Sequence, residues 1–355
     1  MRIRLGAAVL AGMLAVSMTG GPASAGTPSL TWDLRPTGTS AQFRGLDVVN
    51  HRVAWVAGTE GTVLRTTDRG RNWENVSPPS ASGMQFRDIE AFDARRAVAL
   101  TIGPGEESRI YRTTDGGRSW DEVFRNDHPD AFYNCVGFVN RRRGLAVSDP
   151  VDGKFRILET SDGGRTWRVQ SPDRMPPALG GEYNFAASGT CLVTGPGRSV
   201  WFATGGESDA RVFRSNDGGR SWAVSSTRIG HGPSAGIYSL AFRDRLHGIA
   251  VGGDYTTPDT ADRAAAVTSD GGRTWTLVSD AVAPRGYRSG VAWVGRLPVA
   301  LAVGPTGSDV SWDGGRTWTS FDDGAFDVVD RAGLTCFASG PDGRVGQLSL
   351  GATER

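Results

Sequence analysis

The chain has 355 residues, of which 50 are Gly, 18 Pro and 11 Trp; charged residues make up 22% and leave a formal net charge of +1. That balance excludes a strongly basic nucleic-acid binder, and Gly at this level without a Gly-X-Y period excludes collagen and fits a turn-rich β protein. Hydrophobic residues at 38% still suffice for a core built of short strands.

The N-terminus reads as a signal peptide spanning residues 1–25. Arg2 and Arg4 form a positive region, Leu5 to Met18 a short apolar run, and Ala23-Ser24-Ala25 a small-residue cleavage site, so the mature chain is expected to begin at Gly26 and to be secreted, extracellular or in the cell envelope. The run is too short for a membrane span and no second one follows. Three cysteines remain, Cys135, Cys191 and Cys336. Their spacing matches no zinc pattern; they read as buried small hydrophobes or as one disulfide plus a free thiol.

From Phe43 onward one unit repeats. An aromatic-led strand (Phe43 to Val49), an Arg- or Gly-rich turn, a second strand (Val53 to Ala57), a Gly-containing loop and a third strand (Val63 to Thr66) lead to a turn of the form Ser/Thr-x-Asp-Gly-Gly-Arg-Ser/Thr-Trp or close to it. A polar fourth strand starts at the Trp. The turn aspartates are Asp68, Asp115, Asp162, Asp217, Asp270 and Asp313, spaced 47, 47, 55, 53 and 43 residues apart. Four short strands per 40–50 residues predict one propeller blade per repeat. The last repeat, Phe326 to Leu348, supplies only three strands, and the missing one is found at the other end, where Thr31-Trp32-Asp33-Leu34 resembles Thr274-Trp275-Thr276-Leu277. The expectation is an all-β, seven-bladed β-propeller of four-stranded antiparallel blades, a single domain over 26–355, with the ring closed by the N-terminal strand.

Each turn Asp precedes Gly residues and can accept bonds from turn N–H groups, and each Trp offers a plate to pack between blades. The six aspartates are therefore expected to be structural. The motif resembles the Asp-box (BNR) repeat of sialidases, other glycoside hydrolases and non-catalytic propellers. The texture of Phe43 to Trp73 and of Phe86 to Gly103 is closer to the photosystem II stability/assembly-factor-like propellers, a resemblance that runs through the whole mature chain. It implies a scaffold without chemistry of its own.

Strand alternation places the starts of the inner strands on the face opposite the Asp turns. Reading them blade by blade yields a ring of candidate binding residues, Arg44, Arg87, Asn134, Asn184, Tyr238, Arg288 and Asp327, with Tyr183 and Asn184 expected to open the inner strand of blade four. Three Arg around one mouth could clamp a carboxylate or phosphate, or be paired internally with Asp327. The loops between second and third strands reach the same face and add Asp149, Asp152 and Asp254. The expected function is an exported non-catalytic scaffold, monomeric, with no cofactor and no metal, binding a protein or an anionic or carbohydrate ligand there. The alternative is a sialidase-like or other glycoside hydrolase, with Asp149 or Asp152 facing Asp254, or Tyr287 as nucleophile. Against the sialidase reading, Phe43-Arg44 continues Gly45-Leu46 and not the Ile-Pro of the sialidase signature.

Overall fold

The computed structural model describes residues 29–350; the expected signal peptide lies outside them. Residues 30–349 form one compact unit. Seven antiparallel sheets follow one another around a ring, and nearly every described element is a strand or a single 3-10 turn. Blade one is Phe43–Val48, Ala54–Gly58, Val63–Thr66 and Glu74–Asn75, paired in that order. Blade seven pairs Val328–Ala332, Thr335–Ser339 and Val345–Leu350 with Leu30–Leu34 as its outermost strand. The two ends of the chain thus share one sheet and close the ring, as expected.

No blade buries both faces by itself, and the packing records this. Seven apolar clusters each unite residues of two adjacent blades. Between blades one and two, for example, Trp55, Val63 and Val76 meet Phe86, Ile89 and Tyr111. The Trp that follows each turn packs into the interface with the preceding blade: Trp120 against the cluster of blades one and two, Trp318 within that of blades five and six. Full burial of one such side chain stabilises by about 2–3 kcal/mol.

The six Asp turns share one hydrogen-bond scheme. In the second blade, Asp115 Oδ1 accepts the Ser119 N–H at 3.0 Å and Oδ2 the Ser119 hydroxyl at 2.6 Å. Those bonds, the hydroxyl first, hold Asp115 down at about 2. The hydroxyl that completes the turn lies two residues before the Asp, at the first position of the motif. Thr113 Oγ1 donates to Asp115 Oδ1 and accepts the Gly117 N–H at 2.9 Å, and Thr66, Thr160, Ser215, Thr268 and Ser311 do the same work in the other blades. The residue three after each Asp is an exposed Arg: Arg71, Arg118, Arg165, Arg220, Arg273 and Arg316.

Blade four departs from expectation. Its inner strand is Leu192–Gly195, not a strand opening at Tyr183. Glu182–Tyr183 instead pairs with Gly205–Gly206, which pairs with the long inner strand of blade five, Gly232–Phe242. The segment between Tyr183 and Leu192 is released from the sheet and crosses the axis of the ring. The Ser188 hydroxyl donates to the Ser289 carbonyl of blade six at 2.8 Å, and Thr190 Oγ1 lies 2.6 Å from Ser239 Oγ of blade five. Gly189 passes so close to Asp88 of blade two that a Cβ would sit 2.1 Å from its Oδ1. Cys191 is joined by a disulfide to Cys135 on the inner strand of blade three, with Cα atoms 6.1 Å apart, while Cys336 is a buried free thiol. Of the two readings left open for the cysteines, one bridge plus one free thiol describes the structure. This segment is a plug, tied to four blades.

Candidate functional site

Above the plug, on the face opposite the Asp turns, lies a cavity of about 400 Å³. Its lining includes Gln42, Arg44, Phe185, Tyr238, Tyr255, Tyr287 and Asp327. Phe185 comes from the plug and stacks on Tyr238 at 4.7 Å between centroids; Tyr287 meets Tyr238 edge-on at 4.9 Å. Tyr238 is fixed further by its hydroxyl, which donates to the Ser234 carbonyl at 2.7 Å. Tyr255 is 54% exposed and stands at the rim. The result is an aromatic wall that is rigid at its base and open at its edge.

Opposite that wall, Arg44 Nε lies 3.7 Å from Asp327 Oδ1, and Gln42 Nε2 donates to Asp327 Oδ2 at 2.9 Å. At that distance the Arg44 contact is an ion pair and not a hydrogen bond. Burial raises the Asp327 carboxyl, and Arg44 offsets this only in part. Arg44 is therefore loosely held, and a ligand carboxylate offering two oxygens at hydrogen-bond distance would compete with Asp327 for it.

The other expected site residues are placed elsewhere. Arg288 does not face the mouth. It is fully buried, donating through Nε to Asp309 Oδ2 at 2.6 Å and through Nη1 to the Tyr287 carbonyl and to Thr306 Oγ1. Gly304 makes this possible, since a Cβ there would sit 3.2 Å from Arg288 Cδ. Arg87 reaches only Gln85 Oε1, at 3.5 Å, and does not line the cavity. The three-arginine clamp is thus reduced to Arg44.

Asn134 and Asn184 are buried and meet at Asp149, whose Oδ1 accepts the Asn134 side chain at 3.0 Å and the Asn184 N–H at 2.8 Å. Burial pushes Asp149 up to about 7. This network anchors the start of the plug to blade three. Asp152 is exposed and lines a smaller side cavity of about 120 Å³ beneath Trp222. Asp254 accepts the Thr256 N–H and hydroxyl at 2.8 and 2.6 Å, bonds that hold its carboxyl low despite partial burial. None of these three acids lines the mouth cavity, so the geometry does not assemble the expected carboxylate pair. Burial raises the Tyr287 phenol far above its ordinary range, opposite to what a phenolate nucleophile needs. No group of three His, Cys, Asp or Glu suited to a metal occurs among the described residues.

A feature missed in the sequence lies at the axis. The inner strands of blades seven, one and two are stitched to the next blade by carboxylates: Asp330 accepts the Val48 N–H at 2.7 Å, Asp47 the Ala91 N–H at 2.6 Å, and Asp88 the Val136 N–H at 2.7 Å. Glu90 joins them. Burial, then mutual repulsion, raises Asp47 and Glu90, while burial pushes Asp330 up to about 6. The cation facing the group is Arg331, beside Asp330. A carboxyl with a raised folded-state pKa binds more protons folded than unfolded, so stability falls as pH rises through that window. The melting temperature is therefore expected to be higher near about pH 5 than near about pH 8, with Asp330 alone contributing on the order of 1 kcal/mol over that window. Below about pH 4 the trend reverses as the Asp turns lose their charge. A melting curve that is flat or rises between about pH 5 and about pH 8 would contradict the axial cluster.

Comparison with solved structures finds the same architecture. The chain superposes on "YCF48 bound to D1 peptide" with a TM-score of 0.64 at 17% identity, covering 93% of this chain and 99% of that one. It superposes on YCF48 from Cyanidioschyzon merolae with a TM-score of 0.61 at 18% identity, covering 89% and 98%. At this identity the likeness is one of fold. No family model and no curated protein matches the sequence. No helix among the described residues is long and apolar enough to cross a membrane.

Proposed function

We propose that this chain is an exported, non-catalytic propeller scaffold of the assembly-factor-like, Asp-box kind, which binds a segment of a protein partner at the mouth above the plug. The observation that carries the reading is the mouth cavity itself. It combines an aromatic wall, a loosely paired Arg44 and a volume of about 400 Å³, which suits a few residues of extended chain or a chain terminus. The structural likeness to a YCF48 in complex with a peptide supports the same class. Aromatic side chains bury area at low entropy cost, and Arg44 supplies orientation by bidentate pairing. Acids placed in three separate surroundings, away from this cavity, weigh against hydrolysis.

The test is binding of the purified protein to an arrayed peptide library, with free and amidated C-termini, alongside a fluorogenic glycoside panel that includes sialosides. Arg44→Ala is expected to weaken the peptides retained by the natural protein by about tenfold or more, the loss of one charge-assisted pair. Glycoside turnover that disappears in Arg44→Ala would overturn the reading and place chemistry at the mouth.

A further inference from the structure

The protein's formal charge is nearly balanced, yet its cations are not evenly distributed. The turn between the first and second strands carries an exposed arginine in each of blades one to six: Arg52, Arg95, Arg141, Arg198, Arg245 and Arg296. These turns open on the same face as the Asp turns, each of which adds a second exposed arginine. Two concentric sets of guanidinium groups therefore cover one face of the ring. The acids on this face are engaged locally: each turn Asp by its own turn, Asp93 by Arg96 and Asp244 by His247.

Blade seven interrupts the pattern. Its first turn holds Gly333 and Leu334 where the others hold Arg, and no Asp turn follows among the described residues. Leu334 is 42% exposed and its Cδ2 lies 3.3 Å from where a Cβ of Gly295, in the first turn of blade six, would stand. Blades five and six add Leu246 and Trp312, both exposed at turn tips. Between these two runs a groove of about 540 Å³ whose walls include His247, Trp293, Pro298 and Arg316. Large apolar side chains thus protrude from one sector of the arginine face.

We propose that this face docks on the surface of an anionic lipid bilayer, with Leu246, Trp312 and Leu334 inserted at headgroup level and the arginines on lipid phosphates. A broad ring of guanidinium groups fits an extended anionic plane better than a point ligand, and Arg pairs with phosphate bidentately. Trp and Leu at the tips of separate turns can enter a soft interface without the shape complementarity that a folded partner demands. Base-stacking nucleic acid is not favoured, because Trp312 is the single aromatic among these three side chains, and stacking successive bases needs a series of them. Docking in this way turns the mouth cavity away from the membrane, free for a partner.

The test is cosedimentation of the purified protein with phosphatidylcholine vesicles, with and without phosphatidylglycerol, at low and high salt. Binding is expected only with phosphatidylglycerol, to fall as salt rises, and to drop by about tenfold or more in R245E/R296E/R316E. Trp312→Ala is expected to lower it several-fold, while Arg44→Ala leaves it unchanged. Arg245, Arg296, Arg316 and Trp312 are exposed, so a cooperative melt close to that of the natural protein is the control for folding. Binding equal on both vesicle types, or none on either, overturns the proposal, as does retention on heparin without sedimentation on phosphatidylglycerol vesicles, which would assign the face to a soluble polyanion.

Discussion

Asp309→Asn is expected to destabilise the protein by about 3–5 kcal/mol, the cost of breaking a buried ion pair on one side only. Arg288 and its partner are 0% and 1% exposed, and the guanidinium gains its charge compensation from Asp309 alone among the described residues. Asn keeps the shape and leaves a buried cation without a counter-ion. Since small domains are commonly stable by only about 5–15 kcal/mol, the loss is visible as a large shift in the midpoint of a guanidinium titration. The paired change R288M/D309L removes both charges together and is expected to recover most of that loss, because the desolvation penalty disappears with the pair. A midpoint in Asp309→Asn within about 1 kcal/mol of the natural protein would mean that water reaches the pair, and would reopen Arg288 as a mouth residue.

Removing the disulfide is expected to have a comparable effect by a different route. Cys135 and Cys191 are 56 residues apart, and closing a loop of that size restricts the unfolded chain by about 4 kcal/mol in the chain-entropy account. C135S/C191S should therefore melt well below the natural protein. The bridge also fastens the plug to blade three, so the variant has a local signature that a general loss of stability lacks. Proteolysis within residues 185–190 is expected at temperatures where the blades remain folded. In the natural protein Cys336 does not exchange with the bridge, since burial pushes its thiol up to about 12 and keeps it unreactive. A melt unchanged on reduction, with the plug still resistant to protease, would falsify the plug's dependence on the bridge.

These two features lie where the sequence is hardest to read. Asp68 to Asp313 and the Trp residues after them recur because every blade must make the same turn and fill the same gap, so local chemistry repeats along the chain. Blade four's inner strand was misplaced because Glu182-Tyr183-Asn184 has the aromatic pattern of a strand start, whereas its partner is Gly205–Gly206 at the border with blade five. One signal was present: the interval of 55 between Asp162 and Asp217, against 47 in the two before it, holds the additional residues of the plug.

Of the candidate ring, Arg44, Tyr238 and Asp327 share one cavity, together with Tyr287: Arg44 is near the start of its inner strand, Asp327 and Tyr287 lie just before theirs, and Tyr238 sits at the irregularity within the long inner strand of blade five. Arg288 and Arg87 occupy equivalent places in the repeat but do not line the mouth; Arg288 is turned inward by Asp309 and by the space that Gly304 leaves, both on other strands. Gln42 and Phe185 could not be foreseen, because their partners Asp327 and Tyr238 lie on other blades.

The blade unit, the number of blades, the closure by the N-terminal strand and the structural role of the Asp turns are legible in the chain alone. All of these follow from local turn chemistry and strand alternation, which repeat and so announce themselves. The plug across the axis, the one arginine left at the mouth, the pairing of Cys135 with Cys191 and the carboxylates that stitch the inner strands emerge with the folded ring. Each of these is a contact between residues of different blades or strands, and it is set by packing around the ring, not by any neighbour in the chain.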